Sequence, residues 1–304
     1  MSVFVRVPAS SANLGSGVDC MGVALSLYLR VSFREAEKTR FTFFDETGAR
    51  FSLPDDENLI LAAMRAAETC VGRPLPPCEI EVRSDIPLSR GLGSSSTAIV
   101  AGLLGGFALL GEKPDEGTIL RLGTALEGHP DNVTPALLGG FTVAASAENG
   151  DILWQKLDVP PLTAVVAIPA FRLSTHELRR ALPETVPLAD AVRQVQRVSL
   201  LVAALTNGAF SLLDEATRDV LFTPPRKPFM PYLDDAFAAG KNSGALCCMI
   251  SGAGPTVLAL ATETAAPAVH AALEACFRNK GIEAKVLSLP VDHAGAVLTT
   301  EEAL

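Results

Sequence analysis

Apolar and polar positions alternate with a period of two through Val3 to Val7, Ala24 to Phe33 and Thr39 to Phe44, which predicts three strands; the turn-rich stretch Pro8 to Gly22 separates the first two. The period then changes. Asn58 to Val71 carries its apolar residues at helical spacing, and Glu79-Ile80-Glu81-Val82-Arg83 returns to alternation as a half-buried strand. From Ala98 to Gly111 the chain is apolar on every side, as in a helix enclosed by a core. As a helix this run spans about 21 Å, short of the roughly 30 Å hydrocarbon layer of a bilayer. A helix from Thr118 to Leu126 stopped by Gly128, and a strand resuming at Gly139-Gly140-Phe141, complete a first half of mixed helix and strand.

The pair Pro160-Pro161 punctuates the chain, and the pattern restarts beyond it with the apolar strand Leu162 to Ile168. Two domains are therefore expected, residues 1–160 and 161–304. Ala189 to Leu205 reads as an amphipathic helix and Gly208 to Ala216 as a shorter one, ahead of a proline-studded loop from Thr223 to Pro231. Strand Ala245 to Ile250, turn Ser251 to Pro255, strand Thr256 to Ala261, helix Ala266 to Asn279 and strand Glu283 to Leu289 follow. With Leu162 to Ile168 they form a split β-α-β arrangement resembling a ferredoxin-like layer, so the fold class is α+β.

With 304 residues, 48% of them hydrophobic, the chain can bury a large core. Its net charge of −9, without acidic blocks, argues against nucleic acid or an anionic membrane as the main partner. Any anion site must therefore be local. The six cysteines, Cys20, Cys70, Cys78, Cys247, Cys248 and Cys276, contain no Cys-x-x-Cys pair and no zinc spacing with the four histidines. Free thiols in a reducing compartment are expected. The first residues lack the basic and apolar segments of a signal peptide, which adds to the expectation of a cytoplasmic protein.

Local anion chemistry is concentrated in Pro87-Leu88-Ser89-Arg90-Gly91-Leu92-Gly93-Ser94-Ser95-Ser96-Thr97, a glycine- and serine-rich loop running into the apolar helix. Glycines allow close backbone approach, and the N–H groups of the following helix favour negative charge. No lysine stands where a Walker A loop needs one, and the loop lacks the strand and third glycine of a Rossmann turn. An ordinary helix start capped by serine is the other reading. Three further motifs accompany it. The loop Pro8 to Gly22 sets Asn13 and Asp19 six residues apart, an amide and a carboxylate suited to a small polar ligand or to a plain turn. Glu127-Gly128-His129-Pro130-Asp131-Asn132 crowds two carboxylates, an imidazole and an amide into a helix-to-loop junction, which reads as a Mg²⁺ site beside phosphates or as a solvated capping loop. Ser251-Gly252-Ala253-Gly254-Pro255-Thr256 joins two strands, either as a hairpin turn or as a source of N–H groups beside a phosphate.

Together these motifs resemble the GHMP kinase superfamily, which phosphorylates small alcohols from ATP, and within it the homoserine kinase family, along the whole chain. The resemblance implies an N-terminal lobe like ribosomal protein S5 domain 2 and a ferredoxin-like C-terminal lobe. It implies ATP phosphates on Pro87 to Thr97 and Asn58 on the adenine side, a position that also suits a helix cap. Mg²⁺ would be held by Glu127 and by Ser95 or Ser94. For L-homoserine, Arg179 and Arg226 would take the carboxylate, Asp19 with Asn13 the ammonium, and His129 and Asn132 would flank the hydroxyl. Thr175, one helical turn before Arg179, matches a substrate-binding threonine. Asp131 would accept the hydroxyl proton, or Asn132 would stand at the catalytic position without any side-chain base. A homodimer is a further implication. Phe222 and Pro225 replace the His and Tyr usual between Asp219 and Arg226, Ser16 and Val18 replace Pro and Phe, and Ser96-Thr97 replace small apolar residues. A kinase for mevalonate or a sugar, and a non-catalytic nucleotide-binding relative, are the competing readings.

Overall fold

The computed structural model describes residues 2–173 and 175–301, with the backbone alone for residues 175–177. Its strands are β1 (Ser2–Ala12), β2 (Met21–Glu35), β3 (Arg40–Phe44), β4 (Arg50–Phe51), β5 (Cys78–Ser84), β6 (Phe141–Ser146), β7 (Ile152–Leu157), β8 (Thr163–Pro169), β9 (Cys247–Ile250), β10 (Val257–Ala261), β11 (Ala284–Pro290) and β12 (Val297–Thr299). The helices are α1 (Leu59–Val71), α2 (Ser94–Leu109), α3 (Glu116–Glu127), α4 (Pro130–Leu138), α5 (Thr175–Arg180), α6 (Leu188–Thr206), α7 (Leu213–Ala216), α8 (Thr223–Arg226), α9 (Leu233–Asn242) and α10 (Ala266–Asn279). No helix among the described residues is long and apolar enough to cross a membrane.

Eight strands form the first sheet, in the order β12-β1-β2-β5-β3-β4, with β6 paired to β2 at Met21 to Val23 and β7 paired to β6. Alternation places Val3, Val5, Val7 and Ala9 of β1 and Ile80 and Val82 of β5 in the core. Helix α2 packs on this sheet with no room to spare: a Cβ on Gly105 would lie 2.2 Å from the Phe33 ring. The expected loop from Pro8 is shorter than the sequence suggests. β1 continues through Ala12 after a register shift between Pro8 and Ala9, where proline has no N–H to give the ladder.

β8 to β11 form a second, antiparallel sheet in the order β11-β8-β10-β9, the first strand lying between the fourth and the third as in a ferredoxin-like layer. Both faces of this sheet are covered, which explains the unbroken apolar runs of β8 and β10. Val165 and Ala167 face a core shared with α9 and α10, whereas Ala164, Val166 and Ile168 join the large core that continues into the first sheet.

Two segments read as loops are helical. Pro130 stands at the first turn of α4, where its fixed φ and missing N–H are no handicap, and Pro224 and Pro225 open α8 in the same way. The last strand, β12, leaves the second half of the chain and pairs with β1 at Phe4↔Thr299 to Arg6↔Val297.

Candidate active site

A cavity of about 620 Å³ gathers residues from both halves of the chain. Three of the four described non-glycine residues with left-handed φ, Asn13 at 71°, Asp19 at 54° and Ser89 at 57°, lie on its wall. Strained backbone held this way clusters where a ligand is gripped.

One wall is the glycine-rich loop. Leu88, Ser89, Arg90, Gly91, Gly93, Ser94 and Ser95 line the cavity, whereas Pro87, Leu92, Ser96 and Thr97 are buried outside its lining. α2 begins after Gly93, which is left-handed at φ 68°, and no side chain among the described residues caps the helix. The serine-capped start allowed by the sequence is therefore absent, and the helix presents N–H groups beside the cavity. Arg90 anchors the loop: its Nε donates to Pro169 O at 2.8 Å and Nη2 donates to Ala170 O. A Cβ on Gly91 would lie 2.3 Å from Ser251 O, and Ser251 Oγ donates to Gly91 O at 2.6 Å, so the turn at Ser251 supports the loop from below.

The next wall comes from the junction of α3 and α4. Glu127 ends α3, Gly128 closes it in the left-handed region, and His129 is the N-cap of α4. Ser95 Oγ donates to Glu127 Oε1 at 2.6 Å. Asp131 is 1% exposed and bonds through Oδ1 to His129 Nδ1. Burial lowers the His129 pKa, but the hydrogen bond and charge of Asp131, with Glu127 behind it, outweigh this and leave it raised. Asn132 accepts from Ser10 Oγ at 2.8 Å. Cys20 is no nucleophile here, since burial, with the charges of Asp131 and Asp19, pushes its thiol up to about 11.

Facing these groups are Asp19, Arg179 and Arg226. Arg179 Nη2 donates to Asp19 Oδ1 at 3.1 Å. Arg226 is only 6% exposed and its Nε has no partner among the described residues. Burial lowers its pKa, opposed by the charge of Asp219. Asp219 accepts from the N–H groups of Leu221, Phe222 and Thr223, which fixes the turn carrying Arg226, while the Phe222 ring centroid sits 5.8 Å from the guanidinium. The aromatic ring found in place of histidine thus packs on the arginine. Asn13 bridges backbone groups, donating from Nδ2 to Gly252 O at 2.9 Å and accepting from Asp19 N at 3.0 Å. Asp19, His129 and Asp131 offer ligand atoms within 4.8 Å of one another, but these carboxylates already pair with Arg179 and His129. The Thr175 side chain lies outside the described residues.

At the other end the cavity is apolar. Phe43, Phe44, Phe51 and Leu53 line it beside Asn58, with the Phe43 and Phe51 centroids 5.3 Å apart. Asn58 caps α1 by accepting from Leu61 N at 3.1 Å and reaches the cavity as well. Sequence reasoning missed these aromatics, although Phe41, Phe43, Phe44 and Phe51 are a dense cluster in a chain with 6% aromatic residues. It also missed Arg172 on the cavity wall, and the buried Gln194, which bonds Ser16 O, Asp219 and Val220 N.

A two-sheet fold with an uncapped glycine loop at a shared cavity defines a class. The models for the GHMP kinases N terminal domain and the GHMP kinases C terminal match residues 58–140 and 201–279, and the chain is a GHMP kinase. Within that class it belongs to the homoserine kinase family. It is 41% identical over 297 residues to the homoserine kinase of Moorella thermoacetica, covering 97% of this chain and 99% of that protein. The homoserine kinase of a Nostoc species is 42% identical over 300 residues, covering 97% and 98%. The crystal structure of homoserine kinase from Cytophaga hutchinsonii superposes with a TM-score of 0.89 at 31% identity, covering 98% and 97%.

Proposed function

We propose that this chain transfers the γ-phosphoryl group of ATP to the side-chain hydroxyl of L-homoserine, giving O-phospho-L-homoserine for threonine synthesis. The observation that carries the reading is one cavity with two chemically different ends: an aromatic and apolar recess beside the glycine loop, and a cluster of Asp19, Arg179 and Arg226 opposite. A nucleobase fits the first. A zwitterion with a separate hydroxyl fits the second, because mevalonate and sugars have no ammonium for Asp19 to receive.

In this reading the phosphates rest against Gly91, Gly93 and the first N–H groups of α2, where neither glycine can carry a side chain without a clash. A hydroxyl and a carboxylate, Ser95 and Glu127, face the same space, a hard oxygen pair that fits Mg²⁺ alongside phosphate oxygens and water. Bound there, Mg²⁺ would neutralise phosphate charge. Ser95 is favoured over Ser94 as the hydroxyl because it already shares a hydrogen bond with Glu127.

Arg226 meets the α-carboxylate with a guanidinium that burial has stripped of water, and Arg179 joins it from the rim. Asp19 takes the ammonium. The hydroxyl then lies by His129, Asp131 and Asn132 in line with the loop. Phosphoryl transfer has a loose transition state, so positioning and charge neutralisation supply most of the acceleration. The hydroxyl proton leaves to Asp131, whose Oδ1 is held by His129.

The division at residue 160 is proposed on the restart of the pattern there. A cytoplasmic location is supported by six unpaired cysteines, and a homodimer by the family resemblance. The test is ADP release from Mg-ATP with homoserine, threonine, serine, mevalonate and galactose in parallel. Selective turnover of homoserine is expected; selective turnover of another alcohol, or none, overturns the reading.

A further inference from the structure

The strand β1 passes behind the site and leaves one hydroxyl against it. Ser10 Oγ donates to Asn132 Oδ1 at 2.8 Å, and both residues are buried, Ser10 at 0% exposure and Asn132 at 8%. Gly93, the residue from which α2 starts, closes over this pair. A Cβ on Gly93 would lie 2.1 Å from Ser10 Oγ and 3.0 Å from Asn132 Oδ1. Ser10 N also donates to Leu92 O at 3.2 Å, so the strand holds the glycine loop and the α4 amide together.

From this geometry we infer that Ser10 is a positioning residue that fixes Asn132 as a hydrogen-bond donor toward the reacting oxygens. An amide has one acceptor end and one donor end, and the hydroxyl occupies the acceptor end. The donor end, Nδ2, makes no hydrogen bond among the described residues, and Asn132 lines the cavity. The opposite orientation would present an acceptor there, which would compete for the hydroxyl proton and repel phosphoryl oxygens. With Ser10 in place, Asn132 donates either to the acceptor hydroxyl oxygen or to an oxygen of the transferring group, where negative charge is stabilised by a preorganised N–H. The proton of the alcohol then has Asp131 as its destination. Asp131 precedes Asn132 in the first turn of α4, so acceptor and donor are delivered side by side by one short helix.

The inference rests on the kinase reading above and sharpens the part played by Asn132. It requires Ser10 to act only through Asn132, which a double-mutant cycle in the full-length enzyme can read. Ser10→Ala is expected to lower kcat about ten-fold or more while KM for ATP and for homoserine moves less than about two-fold, because the ground-state contacts are untouched. Ser10→Cys, similar in size with a weaker donor, should fall between Ser10→Ala and the wild type, and it stands in if the alanine variant does not fold. In an Asn132→Ala background, Ser10→Ala should cost no further activity. Equal losses from Ser10→Ala in both backgrounds, or a change confined to KM for ATP, overturn the inference. If Asn132→Ala alone leaves kcat intact, the proposed role of Asn132 itself fails, and that outcome is read independently of Ser10.

Discussion

Ser95 and Glu127 meet across the head of α2, with the serine hydroxyl 2.6 Å from Glu127 Oε1 although 32 residues separate them. This contact links the glycine loop to the end of α3 and places a negative charge beside the region offered to phosphates. Such a charge opposes an anion unless a cation stands between them. Glu127→Gln keeps the shape and removes the charge. A fall in kcat of about 100-fold or more is expected, with a higher Mg²⁺ concentration for half-maximal rate. Ser95→Ala should act in the same direction and less. A Mg²⁺ titration at fixed ATP checks both, and an unaltered Mg²⁺ requirement in Glu127→Gln would remove the metal from this place.

Arg226 is a charge held nearly out of water, and its Nε has no partner among the described residues. Arg226→Met relieves that burial, while Asp219 keeps its backbone donors. The variant should melt at the same temperature or higher, yet lose about 100-fold in kcat/KM for homoserine. Calorimetry and kinetics test the pair of effects together. A Tm several degrees lower would mean the arginine holds the fold rather than the substrate.

The His129–Asp131 pair gives stability a definite dependence on pH. The folded-state pKa of His129 lies above its ordinary 6.5, so the protonated ring stabilises the native state. That contribution is complete below 6.5 and is lost as the pH rises through the raised value. The Tm gap between wild type and His129→Gln should therefore be widest in acid and narrow on the alkaline side. Thermal melts across the pH range measure it; a gap that widens with pH contradicts the assignment.

Gly91 tests the seam between the two halves. It is left-handed at φ 77°, and a Cβ there meets the carbonyl oxygen of Ser251, which cannot rotate away as a side chain would. Gly91→Ala should destabilise by about 2 kcal/mol or more and raise KM for ATP. Denaturant unfolding with nucleotide titration reads both consequences. An unchanged KM would show that the turn at Ser251 does not shape the loop.

The sequence revealed most of what has a short-range cause. The alternation of β5, the spacing of α1 with Asn58 as its cap, and the helix Ala266 to Asn279 follow from local pattern, and the structure reproduces them. The glycine loop and the run from Glu127 to Asn132 could be found because their residue types are unusual together. The helix α4 was hidden because prolines usually argue for loops, and only its start at Pro130 makes the residue favourable. The aromatic end of the cavity depends on β3 pairing with β5 and β4, and no local pattern reports which ligand a strand will face. Gln194 and Ser10 were invisible for the same reason: each acts on groups more than twenty residues distant.

The return of β12 to β1 has a consequence for how the molecule is made. The outermost rung of the first sheet, β12, is translated only after the whole second sheet. β1 pairs with β2 early, but its other edge at Phe4 to Arg6 must wait open until β12 has been made. Assembly cannot proceed as two independent halves in succession. A nascent chain whose residues Val297–Thr299 are still held inside the ribosome should be open to a protease along β1, and emergence of β12 should seal that edge.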